Sequence, residues 1–229
     1  MTIAEFHGSP EARQRYWARA HIGWQRIVAA RPNAGHRAVA ALQLAGVLSG
    51  IITQNVDGLH QAAGARDVVE LHGALDRVVC LACGTRSTRA ALDRRLRAAN
   101  PELDWRVVPA SNPDGDAELA DEQVARFRLV GCECCGAELP KPDVVFFGEN
   151  VPRSRVQRCF ELLDGSACLL VLGSSLTVMS GLRFVHRARR ARIPVAIVNR
   201  GATRGDPLAD IKLDAALGEV LPTLAGALQ

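Results

Sequence analysis

The stretch CLLVLGSSLTVMSGLRFVHRARRARIPVAIVNRG, residues 168–201, reads as strand, helix, strand. CLLVLGSS (168–175) and PVAIVNRG (194–201) are apolar almost without interruption, and GLRFVHRARRA (181–191) between them reads as a helix. Continuously apolar strands separated by helices imply a parallel sheet buried on both faces. The alternation extends both ways. DVVFFGE (143–149) reads as a strand and SRVQRCFELLDG (154–165) as a helix. Downstream, IKLDA (211–215) is a shorter strand and ALGEVLPTLAGAL (216–228) a closing helix. Upstream, VLSGIITQN (47–55) and VVELHG (68–73) are short β-rich runs. The expected class is α/β: a Rossmann-like parallel sheet with helices on both faces.

Two helices precede these runs. Residues 10–30 place Tyr16, Ala20, Trp24 and Ile27 on one face, with Pro10 suited to a first turn. Pro32 breaks that helix, and Asn33 caps a second that ends at Gly46. Between about Cys80 and Cys135 the texture changes: paired cysteines bracket a charged helix (88–99) and a polar stretch, NPDGDAE (112–118). This reads as a small inserted domain over 79–139. It divides a larger domain made of 1–78 and 140–229.

The 229 residues carry 48% apolar and 23% charged residues, enough for an ordinary globular core. The net charge of +4 is mild. Its clusters, Arg94-Arg95-Leu96-Arg97 and Arg187–Arg192, read as solvated helix faces, and no nucleic-acid-reading motif accompanies them. No apolar run reaches the roughly 18–20 residues of a membrane span. The N-terminal residues lack a signal-peptide apolar core. A cytoplasmic protein is expected, and there seven cysteines point to metal or thiol chemistry rather than disulfides.

Cys80-x-x-Cys83 and Cys132-x-x-Cys135 supply four thiolates, the donor set of a closed tetrahedral zinc site. Four protein ligands leave no open position, so the ion would be structural. Cys134 competes with Cys135 as the fourth ligand, and the x-x spacing favours Cys135. Cys159 and Cys168 read as core residues.

In an open parallel sheet, ligands bind beyond the carboxyl ends of the strands. Gln54, Asn55 and Asp57 arrive at one such end, bringing the amides and carboxylate that a carboxamide and ribose hydroxyls need. A polar strand end of this kind also serves simply as a cap. His72 follows the next strand and titrates near neutrality, so it can take a proton from a hydroxyl. Most lone histidines are structural, the reading given to His7, His21, His36, His60 and His186. Gly173-Ser174-Ser175 lies between strand and helix, where glycine allows close approach and the following N–H groups and hydroxyls can receive a phosphate. Asn199-Arg200-Gly201 ends the next strand in the same way, with Asn199 placed for a ribose. Each turn is common singly; together they describe a crevice suited to a dinucleotide.

In order, TQNVDGLHQAAG (53–64), ELHG (70–73), the two CxxC pairs, KPDVVFFGE (141–149), LGSSLTV (172–178), VNRG (198–201) and LGEVL (217–221) resemble the sirtuins, the NAD-dependent protein deacylases. The resemblance runs from about residue 33 to the end. The length of the cysteine insert, PDGD (113–116) and GATRGD (201–206) look most like the class II branch. The resemblance implies NAD as cofactor, one structural zinc ion and acylated-lysine proteins as substrates. It makes His72 the general base. Gln54, Asn55, Val56 and Asp57 become nicotinamide and ribose contacts, Gly173 to Ser175 phosphate contacts, and Asn199 to Gly201 ribose contacts. Leu217 matches the position packed on adenine, and Val145, Phe146 and Phe147 the segment lining an acyl-lysine channel. The implied reaction starts with attack of the acyl carbonyl oxygen on C1′ of the nicotinamide ribose. It yields free lysine, nicotinamide and O-acyl-ADP-ribose.

The family pattern opens with a strand, a GAG-x-S loop and a loop that closes over the cofactor, and residues 1–32 carry no match to it. The expectation is that the first strand and the glycine-rich pyrophosphate contact are missing. A start placed too far downstream and a truly shorter chain are the two accounts of this. The alternatives to deacylation are mono-ADP-ribosyl transfer to protein side chains and a non-catalytic, zinc-stabilised binding module.

Overall fold

The computed structural model describes residues 1–103 and 119–228. The NPDGDAE stretch (112–118) lies outside them. In chain order the elements are α1 (Ile3–Gly8), α2 (Pro10–Ala29), α3 (Ala34–Leu44), β1 (Ile51–Thr53), α4 (Leu59–Ala62), β2 (Val68–Glu70), β3 (Gly73–Cys80), β4 (Arg86–Thr88), α5 (Arg89–Ala99) and α6 (Asp121–Arg126). They continue with β5 (Pro140–Val144), α7 (Arg153–Asp164), β6 (Leu169–Leu172), α8 (Met179–Arg190), β7 (Val195–Val198), β8 (Ile211–Leu213) and α9 (Leu217–Ala227). They pack as two compact units, one of residues 1–30 and 73–150, the other of 31–72 and 151–229. Residues 1–30 and the strands flanking the cysteines thus group with the cysteine insert.

The second unit carries the parallel strands. β6, β7 and β8 form one parallel sheet in that order, with Leu169 beside Val195 and Ala196 beside Ile211. β1 and β2 form a separate parallel pair, Thr53 beside Glu70. Apolar residues of α7 and α8 cover the sheet: Cys159, Leu163, Leu182 and Val185 bury with Val195 and Ile197. A second cluster joins α3 and α9 to β1 through Val39, Leu42, Ile51 and Leu221. Asn33 caps α3 by accepting from the His36 N–H at 3.0 Å, and the chain leaves that helix through Gly46 at φ 76°, a conformation glycine adopts without cost.

The first unit is antiparallel. β3 pairs with β4 on one side and β5 on the other. This corrects the reading of residues 143–149 as a strand of the parallel sheet. The strand ends at Val144, and Glu149 turns its carboxylate back to accept from the Phe146 N–H at 2.9 Å, folding 145–149 into a tight loop. α1 and α2 build the core beside it. Phe6, Tyr16, Trp17 and Phe146 meet edge to face at centroid distances of 5.3–5.6 Å, a geometry that aligns ring edges with ring faces. Arg89 is fully buried between Trp17 and Trp24, 4.8 and 5.1 Å from their centroids, and donates to the Ala20 carbonyl. Ring faces and a carbonyl meet part of the charge that such a buried cation carries. Cys159 is buried as expected, whereas Cys168, just before β6, is exposed.

Candidate functional site

The second unit gathers the sequence-predicted nucleotide residues at the carboxyl ends of β1, β2, β6 and β7. The ladder between β1 and β2 extends one step, with Leu71 N–H donating to the Thr53 carbonyl at 2.9 Å. That fixes fully buried Leu71 and delivers His72 on the following turn. His72 Nε2 lies 2.8 Å from Ser180 Oγ in the first turn of α8. Burial depresses the basicity of the half-buried ring, a hydrogen bond with the Gln54 backbone opposes this, and Arg183 adds to the depression.

Gln54, the first residue past β1, reaches the β6 turn: its Nε2 donates to Ser174 Oγ at 3.0 Å. Its carboxamide rests against Gly181, where an added Cβ would sit 3.0 Å from both amide atoms. Asp57 accepts from the Leu59 N–H at 3.0 Å and starts α4; Asn55 is exposed and Val56 half-buried between them.

Gly173 ends β6 at φ 61°, and a Cβ there would fall 2.7 Å from Leu217 Cδ1. Glycine adopts that backbone without cost and leaves the space that the Leu217 side chain occupies. Ser174 Oγ also receives the Leu176 N–H, and Leu176 itself is buried at φ 55°. A non-glycine residue held in that region stores backbone strain. Ser175 is exposed and its hydroxyl lies 3.0 Å from that of Thr177. At the end of β7, the Asn199 side-chain amide donates to the Arg200 and Gly201 carbonyls, and Gly201 N–H donates to Asp214. Arg200 is exposed.

The cysteine cluster lies in the first unit. The Sγ atoms of Cys80, Cys83, Cys132 and Cys135 lie within 4.8 Å of one another, with Cys80–Cys135 and Cys83–Cys132 each at 3.7 Å. Tetrahedral zinc with bonds of about 2.3 Å needs sulfurs about 3.8 Å apart. The four cysteines are therefore positioned to bind a zinc ion, and Cys134 stands outside the set. Val145, Phe146 and Phe147 belong to the same unit. Phe146 is core, against Phe6, Tyr16 and the Lys141 ammonium, while Phe147 is 73% exposed. Phe147 is held by its backbone, whose carbonyl accepts from Ile3 N–H at 3.0 Å.

Motif reading misses Ser180, Gly181 and Asp214. A serine in a first helical turn reads as a cap, and nothing local in the sequence links it to His72, 108 residues earlier.

One unit holds parallel strands that end in glycine-, serine- and asparagine-bearing turns, and the other holds four cysteines positioned for a metal ion, the layout of a dinucleotide-dependent protein with a structural metal site. Residues 2–180 match the Sir2 family, and the chain belongs to it. The match takes in residues 2–32, which the motif reading leaves outside. The chain is 62% identical over 225 residues to NAD-dependent protein deacetylase 1 of Streptomyces coelicolor, spanning 98% of this chain and 75% of that one. It is 53% identical over 229 residues to NAD-dependent protein deacetylase 1 of Mycobacterium avium, spanning 98% and 80%. Among solved structures, Sir2 with a p53 peptide and NAD+ superposes with a TM-score of 0.77 at 27% identity, covering 99% of this chain and 81% of that one. Sir2 bound to an acetylated peptide gives 0.76 at 27%, covering 100% and 83%. Among the described residues no helix is long and apolar enough to cross a membrane.

Proposed function

We propose that this chain is an NAD-dependent protein-lysine deacylase that uses His72 as its general base. The observation that carries the reading is the pairing of a half-buried His72 and the Gln54 carboxamide at adjacent strand ends, each engaged by side chains of the β6–α8 segment. The names of the relatives and the acetylated peptide bound by a structural neighbour support the same activity.

Gln54, Asn55, Val56 and Asp57 would hold nicotinamide and its ribose. Gly173, Ser174 and Ser175 would meet the phosphates, Asn199, Arg200 and Gly201 the second ribose, and Leu217 the adenine. When bound, NAD supplies an electrophilic ribose carbon with nicotinamide as leaving group. His72, kept neutral by burial, is in the form that accepts a proton from a ribose hydroxyl. Val145 and the exposed Phe147 would flank the acyl-lysine side chain, with buried Phe146 fixing their loop. Zinc on the four thiolates would hold the β3–β5 module in shape and take no part in proton transfer.

The test is incubation with NAD and an acetyl-lysine peptide. Nicotinamide release matched by loss of the acetyl group is expected. A stable ADP-ribose adduct on protein, with the peptide still acetylated, would replace this reading with ADP-ribosyl transfer.

A further inference from the structure

The first turn of α8 touches two of the residues assigned above from a part of the chain to which no role has been assigned. Ser180 Oγ is 2.8 Å from His72 Nε2, and the neighbouring Gly181 leaves the space that the Gln54 amide fills. α8 begins at Met179, Val178 provides no side-chain cap, and the Ser180 hydroxyl makes its hydrogen bond to the histidine instead. Ser180 is the second residue of the helix, past the cap position, which leaves its hydroxyl available to the histidine.

We propose that Ser180 is a positioning residue for His72, donating its hydroxyl proton to Nε2 and so holding the ring in the neutral tautomer whose lone pair is on Nε2. This rests on the general-base reading of His72. The Gln54 backbone favours the protonated ring, opposing the effect of burial. With Nε2 accepting from Ser180, the neutral ring carries its N–H at Nδ1. The ring is thus held by α8 through the Ser180 hydroxyl. Arg183, one turn along α8, is the charged neighbour, and it too opposes protonation. When a ribose hydroxyl arrives at Nε2 it takes over a hydrogen bond Ser180 has kept formed, so the base meets its substrate already oriented. Gly181 completes the device, because any Cβ there would displace the Gln54 amide while Ser180 held the histidine.

The experiment follows the His72 ring by NMR through a pH titration of the whole chain, in the wild type, Ser180→Ala and Ser180→Thr, beside deacylation kinetics at pH 6.5 and 8.5. Loss of a donor to the neutral ring lets it take a proton at higher pH. The Ser180→Ala titration is therefore expected to move upward, and Ser180→Thr to restore it. Turnover of Ser180→Ala is expected to fall about fivefold to tenfold at pH 6.5, the worth of one hydrogen bond, and less at pH 8.5, with KM for NAD unchanged. A His72 titration identical in wild type and Ser180→Ala overturns the proposal, whether or not the chain deacylates. A shifted titration with turnover unaffected at both pH values counts against the general-base reading instead.

Discussion

His72 Nε2 and Ser180 Oγ, 108 residues apart in sequence, lie 2.8 Å apart in the fold. The contact ties the end of β2 to the start of α8, so the candidate base is oriented by the helix that follows the β6 turn.

The basicity of His72 sets an acid limit. Burial, the largest influence, and Arg183 hold its pKa below the ordinary 6.5, against the Gln54 backbone. A base works only when unprotonated, so turnover falls as pH drops through that lowered value and stays level across neutrality. The pH dependence of kcat checks this; an acid limb above 6.5 would contradict it.

Gly181→Ala separates stability from site geometry. Alanine in a helix is favoured over glycine by about 1 kcal/mol. Its Cβ would lie 3.0 Å from the Gln54 amide. Thermal stability is expected to hold or rise while NAD affinity falls, read by melting and calorimetry on the same protein.

Gly173→Ala should lose both. Its φ of 61° costs an L residue about 1–2 kcal/mol, and the added methyl would meet Leu217 at 2.7 Å. Removing Leu217 in the double variant is expected to restore part of the stability and none of the NAD affinity.

The cysteine cluster assigns its fourth ligand. Cys135→Ser is expected to abolish stoichiometric zinc and lower the melting temperature, whereas Cys134→Ser keeps one ion per chain. Metal analysis of the two purified variants distinguishes them.

A buried carboxylate–imidazole contact fastens α5 to α2. Asp93 meets the His21 ring at 2.8 Å and Arg97 at 2.9 Å, with the His21 and Asp93 side chains almost fully buried. Burial pushes the carboxyl up, and the contacts with His21, Arg97 and Arg89 outweigh it, leaving the pKa below its ordinary 3.8. The resulting stability is present above that ordinary value and lost as pH falls through the lower folded one. Asp93→Asn removes the carboxylate that these groups face and is expected to cost about 1–3 kcal/mol in urea unfolding at pH 7.

The parallel elements were legible because their strands are uninterrupted apolar runs, as in 169–172 and 195–198. Asn33 and Gly46 marked the ends of α3 through backbone chemistry that is local. The cysteine tetrad was legible from spacing, and the fold chose Cys135 over Cys134 by distance. β3 was illegible: its residues alternate between buried and partly exposed because the sheet is antiparallel, and Asp76 and Arg77 interrupt the apolar pattern. Residues 145–149 looked like strand because Val and Phe favour strands, but the Glu149–Phe146 hydrogen bond turns the chain. Ser180 and Gly181 were invisible because their partners, His72 and Gln54, are joined to them only by tertiary contact.

The central claim is tested most directly by mass spectrometry of the products formed from NAD and an acetyl-lysine peptide, with the wild-type chain and His72→Ala side by side. The account predicts deacetylated peptide, nicotinamide and O-acetyl-ADP-ribose in equal amounts from the wild type, and none of the acetylated nucleotide from His72→Ala. Equal yields of O-acetyl-ADP-ribose from both proteins would contradict it.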